Sequence, residues 1–381
     1  GHEVLHNWWG NGVYPDYATG NWSEGLTTFM ADHAYREQAG PAAARELRLA
    51  WLRDLAALDA GQDQPLREFT SRTHGSDQVV GYHKAAMLFV MLRDTIGDET
   101  FDQGLRRFWS EHRGSIASWD DLRAAFERTS QRDLAGFFAQ WLNRAGAPNL
   151  RLESAQAVKD SNGWRVDFTL SQERPAYQLR VPVAVDAGSG QQVHWVDFDR
   201  ERATFGVRSA QPPRSITLDP DARLLRRLAP GEAPPILRRA MLDPTTVTVL
   251  TGAEEAGAAL ARRVVEHPLQ LRSPEAPPPA APLLLVGLER DVNRYLARHG
   301  LAPRPAELDV TPDRATAWVW TATRTTGETV TIVSARDAAA LAALGRPLPH
   351  YGRQSWLVFD GGTATARGTW PSRPQSVRLD R

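Results

Sequence analysis

Two histidines near the start of the chain constrain it more than any other feature. In the opening stretch GHEVLHNWWG, His2 and His6 stand four positions apart, with Glu3 beside the first. Residues at i and i+4 share a face only on a helix, about one turn apart. Residues 1–9 are therefore expected to be helical and to end at Gly10-Asn11-Gly12, which suit a helix terminus. Both imidazoles then reach one point, and Glu3 projects beside that point.

Two imidazoles converging in this way can hold one metal ion. With a glutamate next to the first histidine, the pattern is that of zinc hydrolases, in which the glutamate is the base acting on an activated water. A third ligand has to come from another element, and Glu24 in NWSEG is the candidate. Asn21-Trp22-Ser23-Glu24 also reads as a capping box with Glu24 serving its own helix. Both roles fit the spacing; together with the two histidines, the ligand role is the stronger.

Composition removes several other classes. Lys+Arg and Asp+Glu both number 45, so no net charge points to nucleic acid as a partner. Cysteine is absent, which excludes disulfides and cysteine zinc sites but does not fix a compartment. No apolar run approaches the ~20 residues of a membrane span. The chain opens inside a helical motif without an initiator methionine, so an upstream segment carrying any export signal is expected before Gly1.

The hydrophobic period divides the chain. From Asn21 to Asn143 apolar residues recur at helical spacing, interrupted by a polar, irregular stretch at Gly61–Asp77. Alternating runs come next at Leu150–Val158, Trp164–Leu170, Tyr177–Val185, Val193–Phe198, Thr204–Val207 and Ser215–Leu218, which read as six strands of a small β-sandwich. Pro230–Pro235 reads as a linker, and the mixed charges from Arg223 to Arg239 as solvated surface. Strand and helix patterns then alternate to an apparent hairpin around Asp360-Gly361-Gly362, an α/β layered module.

HEVLHNWWGN followed by NWSEGLTTF resembles the gluzincin aminopeptidases, the family of membrane alanyl aminopeptidase and leukotriene hydrolase. The resemblance extends to about residue 150 and more loosely to about 228. It implies one zinc ion held by His2, His6 and Glu24, with Glu3 as general base. The His6–Glu24 interval is one residue shorter than is usual, and Ser23 replaces the usual Asn. Tyr82-His83-Lys84-Ala85 is similar to the family's Tyr-x-Lys-Gly segment, which makes Tyr82 the expected oxyanion donor. His33 and His83 receive little weight, and the remaining histidines are expected to be solvated.

The expected architecture is multidomain. Residues 1–148 form an all-α catalytic portion like the C-terminal part of the thermolysin fold, 149–228 a β-sandwich, and 236–381 an α/β module of unread role. The expected activity is zinc-dependent hydrolysis at the N-terminal residue of a peptide. A zinc endopeptidase and a catalytically silent assembly module are the alternatives. The family's amine-binding segment lies upstream of Gly1, so specificity is implied by the resemblance alone. His2 stands at a chain end, where the first turn has no preceding hydrogen bonds and frays, so weak zinc binding and little or no activity are expected of the chain as given.

Overall fold

The computed structural model describes residues 1–161, 163–188, 190–309 and 314–379. The chain divides into two compact units. One comprises residues 1–56, 60–232 and 373–381, and the other 57–59 and 233–372. No helix among the described residues is long and apolar enough to cross a membrane.

The first unit opens with a single helical turn, His2–Leu5, shorter than the expected 1–9. His6 keeps helical dihedrals as its C-cap (φ −61, ψ −16), so the shared face of the two histidines survives. The second helix starts at Ser23–Thr28, widens into a π-helical turn at Phe29–His33 and continues as Ala34–Gln38. Helix Pro41–Ala56 comes next. A long composite helix then runs Gly75–Gln78, a second π-helical turn at Val79–Lys84, and Ala85–Ile96. Helices Asp98–His112, Trp119–Ser130 and Ala135–Asn143 complete this part. Ser118 and Asp121 cap Trp119–Ser130 reciprocally, with Asp121 Oδ2 accepting from the Ser118 amide at 2.8 Å.

This part is not purely helical. Strands β1 (Tyr14–Pro15) and β2 (Ile116–Ala117) pair in parallel and pin the loop after the first helix. Apolar periodicity does not detect a pair this short.

Six strands then build two sheets: β3 (Arg151–Asp160), β4 (Gly163–Ser171), β5 (Leu179–Asp186), β6 (Gln191–Phe198), β7 (Arg202–Ser209) and β8 (Ser215–Leu218). The order is β3-β4-β7 in one sheet, while β8-β5-β6 belong to the other. Val166, Phe168 and Leu170 are buried on β4, and Val181, Val183 and Val185 on β5. Phe205 of β7 meets Phe168 at 5.6 Å and Phe198 of the other sheet at 5.9 Å, which closes the core between them.

Two features differ from expectation. The mixed-charge stretch is not solvated surface throughout, because Arg226 is only 2% exposed. Its guanidinium donates to Asp219 at 3.1 Å and to both oxygens of Glu232 at 2.9 and 2.8 Å, and neutralised in this way it can be buried. The chain's last residues also return to the first unit. Gln375 donates to the Leu150 carbonyl and to Glu232, both at 2.9 Å, and β16 (Ser376–Arg378) pairs antiparallel with β8.

The second unit is a seven-stranded sheet in the order β10-β9-β11-β13-β12-β14-β15. Here β9 is Val247–Thr251, β10 Gln270–Arg272, β11 Leu283–Leu288, β12 Ala317–Thr323, β13 Thr329–Ala335, β14 Trp356–Asp360 and β15 Thr363–Gly368. The first four in sheet order pair in parallel, and the other pairings are antiparallel. Helices Glu254–Val264 and Glu289–Arg298 are among those that accompany it.

Candidate metal centre

Aromatic packing sets the His2 turn against the Glu24 helix. Trp9 is 4% exposed and meets Trp22 at 6.4 Å, Phe108 at 6.1 Å and Trp109 at 5.8 Å. Trp22 is fully buried and donates its indole N–H to the Ala117 carbonyl at 2.8 Å. The Glu24 helix is not held by the expected capping box. Asn21 takes that work, its Oδ1 accepting from the Ser23 amide at 2.9 Å. Glu24 is thereby free to face the histidines.

One atom each from His2, His6 and Glu24 lies within 4.8 Å of the other two. Glu24 Oε2 stands 3.4 Å from His2 Nε2 and 3.3 Å from His6 Nε2. Two ligand atoms ~2.1 Å from a tetrahedral centre stand about 3.4 Å apart, so this spacing is that of zinc donors. His6 Nδ1 lies 2.8 Å from the Trp9 carbonyl, an acceptor only, so Nδ1 carries the proton and the Nε2 lone pair faces the centre. All three side chains are about one-fifth exposed, open enough to be reached from solvent.

The electrostatics are those of a cation cradle. His2 is raised to about 9, first by its hydrogen bond to Asp32 and then by that to Glu24. Burial pushes Glu24 up, but His2, His6 and Tyr82 outweigh it and hold the carboxylate below its ordinary range. Two carboxylates around two imidazoles retain a proton where a divalent ion would supply the charge. The residues present fit zinc.

Asp32 is the site residue the sequence did not reveal. Its Oδ2 lies 3.7 Å from His2 Nδ1, behind the ring, where a carboxylate orients a ligating histidine. It comes eight positions after Glu24, which regular α-geometry turns away from the Glu24 face. The π-helical turn at Phe29–His33 absorbs one residue and brings it back.

Tyr82 lies in the second π-helical turn. Its ring stacks on His2 at 5.9 Å and 15°, and its hydroxyl hydrogen-bonds Glu24. Burial, then the nearby Glu24 charge, raise its pKa, so it stays protonated as a donor. Lys84 anchors this helix end, donating to Asp63 at 2.9 Å and to the carbonyls of Gln64 and Arg144, both at 3.3 Å. Glu3 is exposed beside His2 and contributes to the negative potential at Tyr82. The five expected side chains thus come together on one side of the first unit.

Residues 1–141 match the Peptidase family M1 domain. The likeness to the family M1 domain is confined to this segment. The chain is 29% identical over 203 residues to aminopeptidase N of Escherichia coli (strain K12), covering 49% of this chain and 22% of that protein. It is 34% identical over 85 residues to aminopeptidase N of Lactococcus lactis subsp. cremoris (strain MG1363), covering 22% and 10%. It is 26% identical over 168 residues to mitochondrial aminopeptidase 2 of Saccharomyces cerevisiae, covering 42% and 17%. The chain thus covers less than a quarter of the length of each of these relatives. A crystal structure of Legionella pneumophila aminopeptidase A in complex with aspartic acid shares 20% identity at a TM-score of 0.45, over 63% of this chain and 27% of that one.

Proposed function

We propose that this chain carries the catalytic centre of a zinc-dependent aminopeptidase, with His2, His6 and Glu24 as metal ligands. The observation that supports this reading is the ligand spacing: two imidazole nitrogens 3.3 and 3.4 Å from one carboxylate oxygen, at a tetrahedral edge length. When bound, a zinc ion supplies Lewis-acid polarisation of the scissile carbonyl and acidifies water. Glu3 takes the proton of the attacking water and delivers it to the departing amine. Tyr82 donates its hydroxyl hydrogen bond to the oxyanion that develops on the carbonyl. Asp32 accepts from His2 Nδ1 and holds that ring in the tautomer whose Nε2 faces the ion. A peptide with a free N-terminus is proposed as substrate, on the resemblance to the family and the names of the relatives.

In this reading residues 1–148 are the thermolysin-like catalytic portion, 149–228 a β-sandwich and 236–381 an α/β module. The test is zinc stoichiometry together with hydrolysis of a free-amine peptide and its N-acetylated counterpart. At saturating zinc one ion per chain is expected, and whatever cleavage the chain supports is expected on the free-amine peptide alone. Equal cleavage of both would make the activity that of an endopeptidase, and zinc uptake without cleavage of either would favour an assembly module.

A further inference from the structure

Two histidines that the proposed chemistry does not use lie directly behind it. His33 is fully buried and His83 is 4% exposed. Each belongs to a π-helical turn and directly follows a site residue, His33 after Asp32 and His83 after Tyr82. Both pack on the same side chain, Trp51, with ring centroids at 5.8 Å for His33 and 6.0 Å for His83.

The polar anchors of the two rings come from the same helix as Trp51. Arg48 Nη1 donates to His33 Nε2 at 2.7 Å, leaving the Nδ1 proton toward Glu37 at 3.6 Å. His83 Nδ1 lies 3.2 Å from Oδ2 of the fully buried Asp54. Arg48, Trp51 and Asp54 are spaced by three along helix Pro41–Ala56 and so share a face. One helix face therefore receives the inner side of both π-helical turns.

A π-helical turn is a single-turn bulge in an α-helix, one residue wider than the turns around it. If the extra residue shifts by one position, every side chain in the turn rotates, and neighbouring residues on a helix point in widely different directions. A lock on residue 33 therefore also aims residue 32, and a lock on 83 aims 82. We propose that the Arg48–Trp51–Asp54 face is a template for both turns, and that His33 and His83 are positioning residues for the metal cradle. Through His33 the template sets Asp32 and the helix of Glu24. Through His83 it sets Tyr82, whose ring stacks on His2 and whose hydroxyl holds Glu24.

This inference rests on the metal-site reading, and its test separates the two. Zinc affinity of the full chain is measured by competition with a chromophoric chelator, and ligand geometry by the visible spectrum of the cobalt(II) form. His33→Leu and His83→Leu are each expected to weaken zinc about tenfold and to alter the cobalt bands, as loss of an outer-shell partner does. His33→Gln, which keeps an acceptor for Arg48, and His83→Gln, which keeps an N–H donor toward Asp54, recover most of the affinity. Adding Trp51→Leu to either leucine variant costs little more, because the three residues act as one unit. Leucine variants that melt at lower temperature but keep wild-type affinity and cobalt spectrum would overturn the proposal. Should a leucine variant not fold, Asp54→Asn retains the shape and is held to the same two outcomes. A wild-type chain that takes up no zinc overturns the metal-site reading itself.

Discussion

Gly25 meets Ala85 with no room between them: a methyl group built on Gly25 would lie 2.3 Å from the Ala85 Cβ. This contact lets the helix carrying Glu24 approach the helix carrying Tyr82 closely enough for the two side chains to hydrogen-bond. The glycine after the candidate ligand is thus a packing requirement of the site. Gly25→Ala is expected to force the helices apart, at about 1–3 kcal/mol of stability. Zinc affinity should fall in the same variant, while Gly40→Ala, where a Cβ meets nothing within 4 Å but φ is +119°, should cost stability alone. Thermal melts with and without zinc measure both.

Zinc uptake should release a proton at neutral pH. In the metal-free protein Asp32 and Glu24 raise His2 to about 9, so at pH 7 the ring is protonated and the ion must displace that proton. Apparent affinity is then expected to rise about tenfold per pH unit between 7 and 9 and to level off above. The same raised pKa contributes stability to the metal-free protein that is complete below about 6.5 and lost as pH rises through about 9. Asp32→Asn removes the larger cause and should flatten the affinity slope, while weakening zinc roughly 10–100-fold. Isothermal titration in buffers of different ionisation heat counts the proton directly, and an uptake without proton release would refute the assignment.

Glu3 and Tyr82 should separate chemistry from metal binding. Glu3→Gln keeps shape and leaves the three ligands untouched, so zinc stoichiometry should be unchanged while peptide hydrolysis is lost by at least about 100-fold. Tyr82→Phe keeps the stack on His2 but removes the hydroxyl, and should lower kcat by about 100- to 1000-fold with KM little changed. A loss of zinc in parallel with rate in Glu3→Gln would count against the base role, and an unchanged kcat in zinc-saturated Tyr82→Phe would count against the oxyanion role.

The proposed metal ligands were legible because a His-x-x-x-His spacing on a helix leaves little freedom in where two imidazoles point, and the strands because half-buried sheet alternates. Asp32 was not legible, since its position depends on a π-helical turn that no residue in FMADH announces. His33 and His83 carry no periodic signal that distinguishes a packed imidazole from a solvated one. Arg226 illustrates a related limit. A charged residue is buried only where partners neutralise it, and its partners Asp219 and Glu232 lie on either side of it in a stretch whose composition is that of surface. The tail strand β16 escaped detection because three residues following Pro371 and Pro374 offer no alternation to read.

The Arg226 cluster makes a stability prediction independent of the metal. Arg226→Met leaves Asp219 and Glu232 buried without their cation, and removing one partner of such a pair costs about 3–5 kcal/mol. Glu232 also receives Gln375, so the loss should loosen the C-terminal tail, read as faster hydrogen exchange at β16 and β8.

His33 should make the fold acid-sensitive. Burial, opposed by Glu37 but reinforced by the nearby charge of Arg48, with Arg93 and Arg223 further along, lowers its pKa to about 4. Arg48 donates to its Nε2, which requires a lone pair there, so the folded protein holds this ring neutral. The unfolded chain binds the proton near 6.5, so between about 6.5 and 4 the unfolded state carries more protons and stability falls as pH falls. The full depression corresponds to roughly 3 kcal/mol, reached only once pH is below both values. Denaturant melts from pH 7 to 4 should show this slope in the wild type. His33→Gln, which cannot titrate, should show a shallower one, and equal slopes would place the acid sensitivity elsewhere.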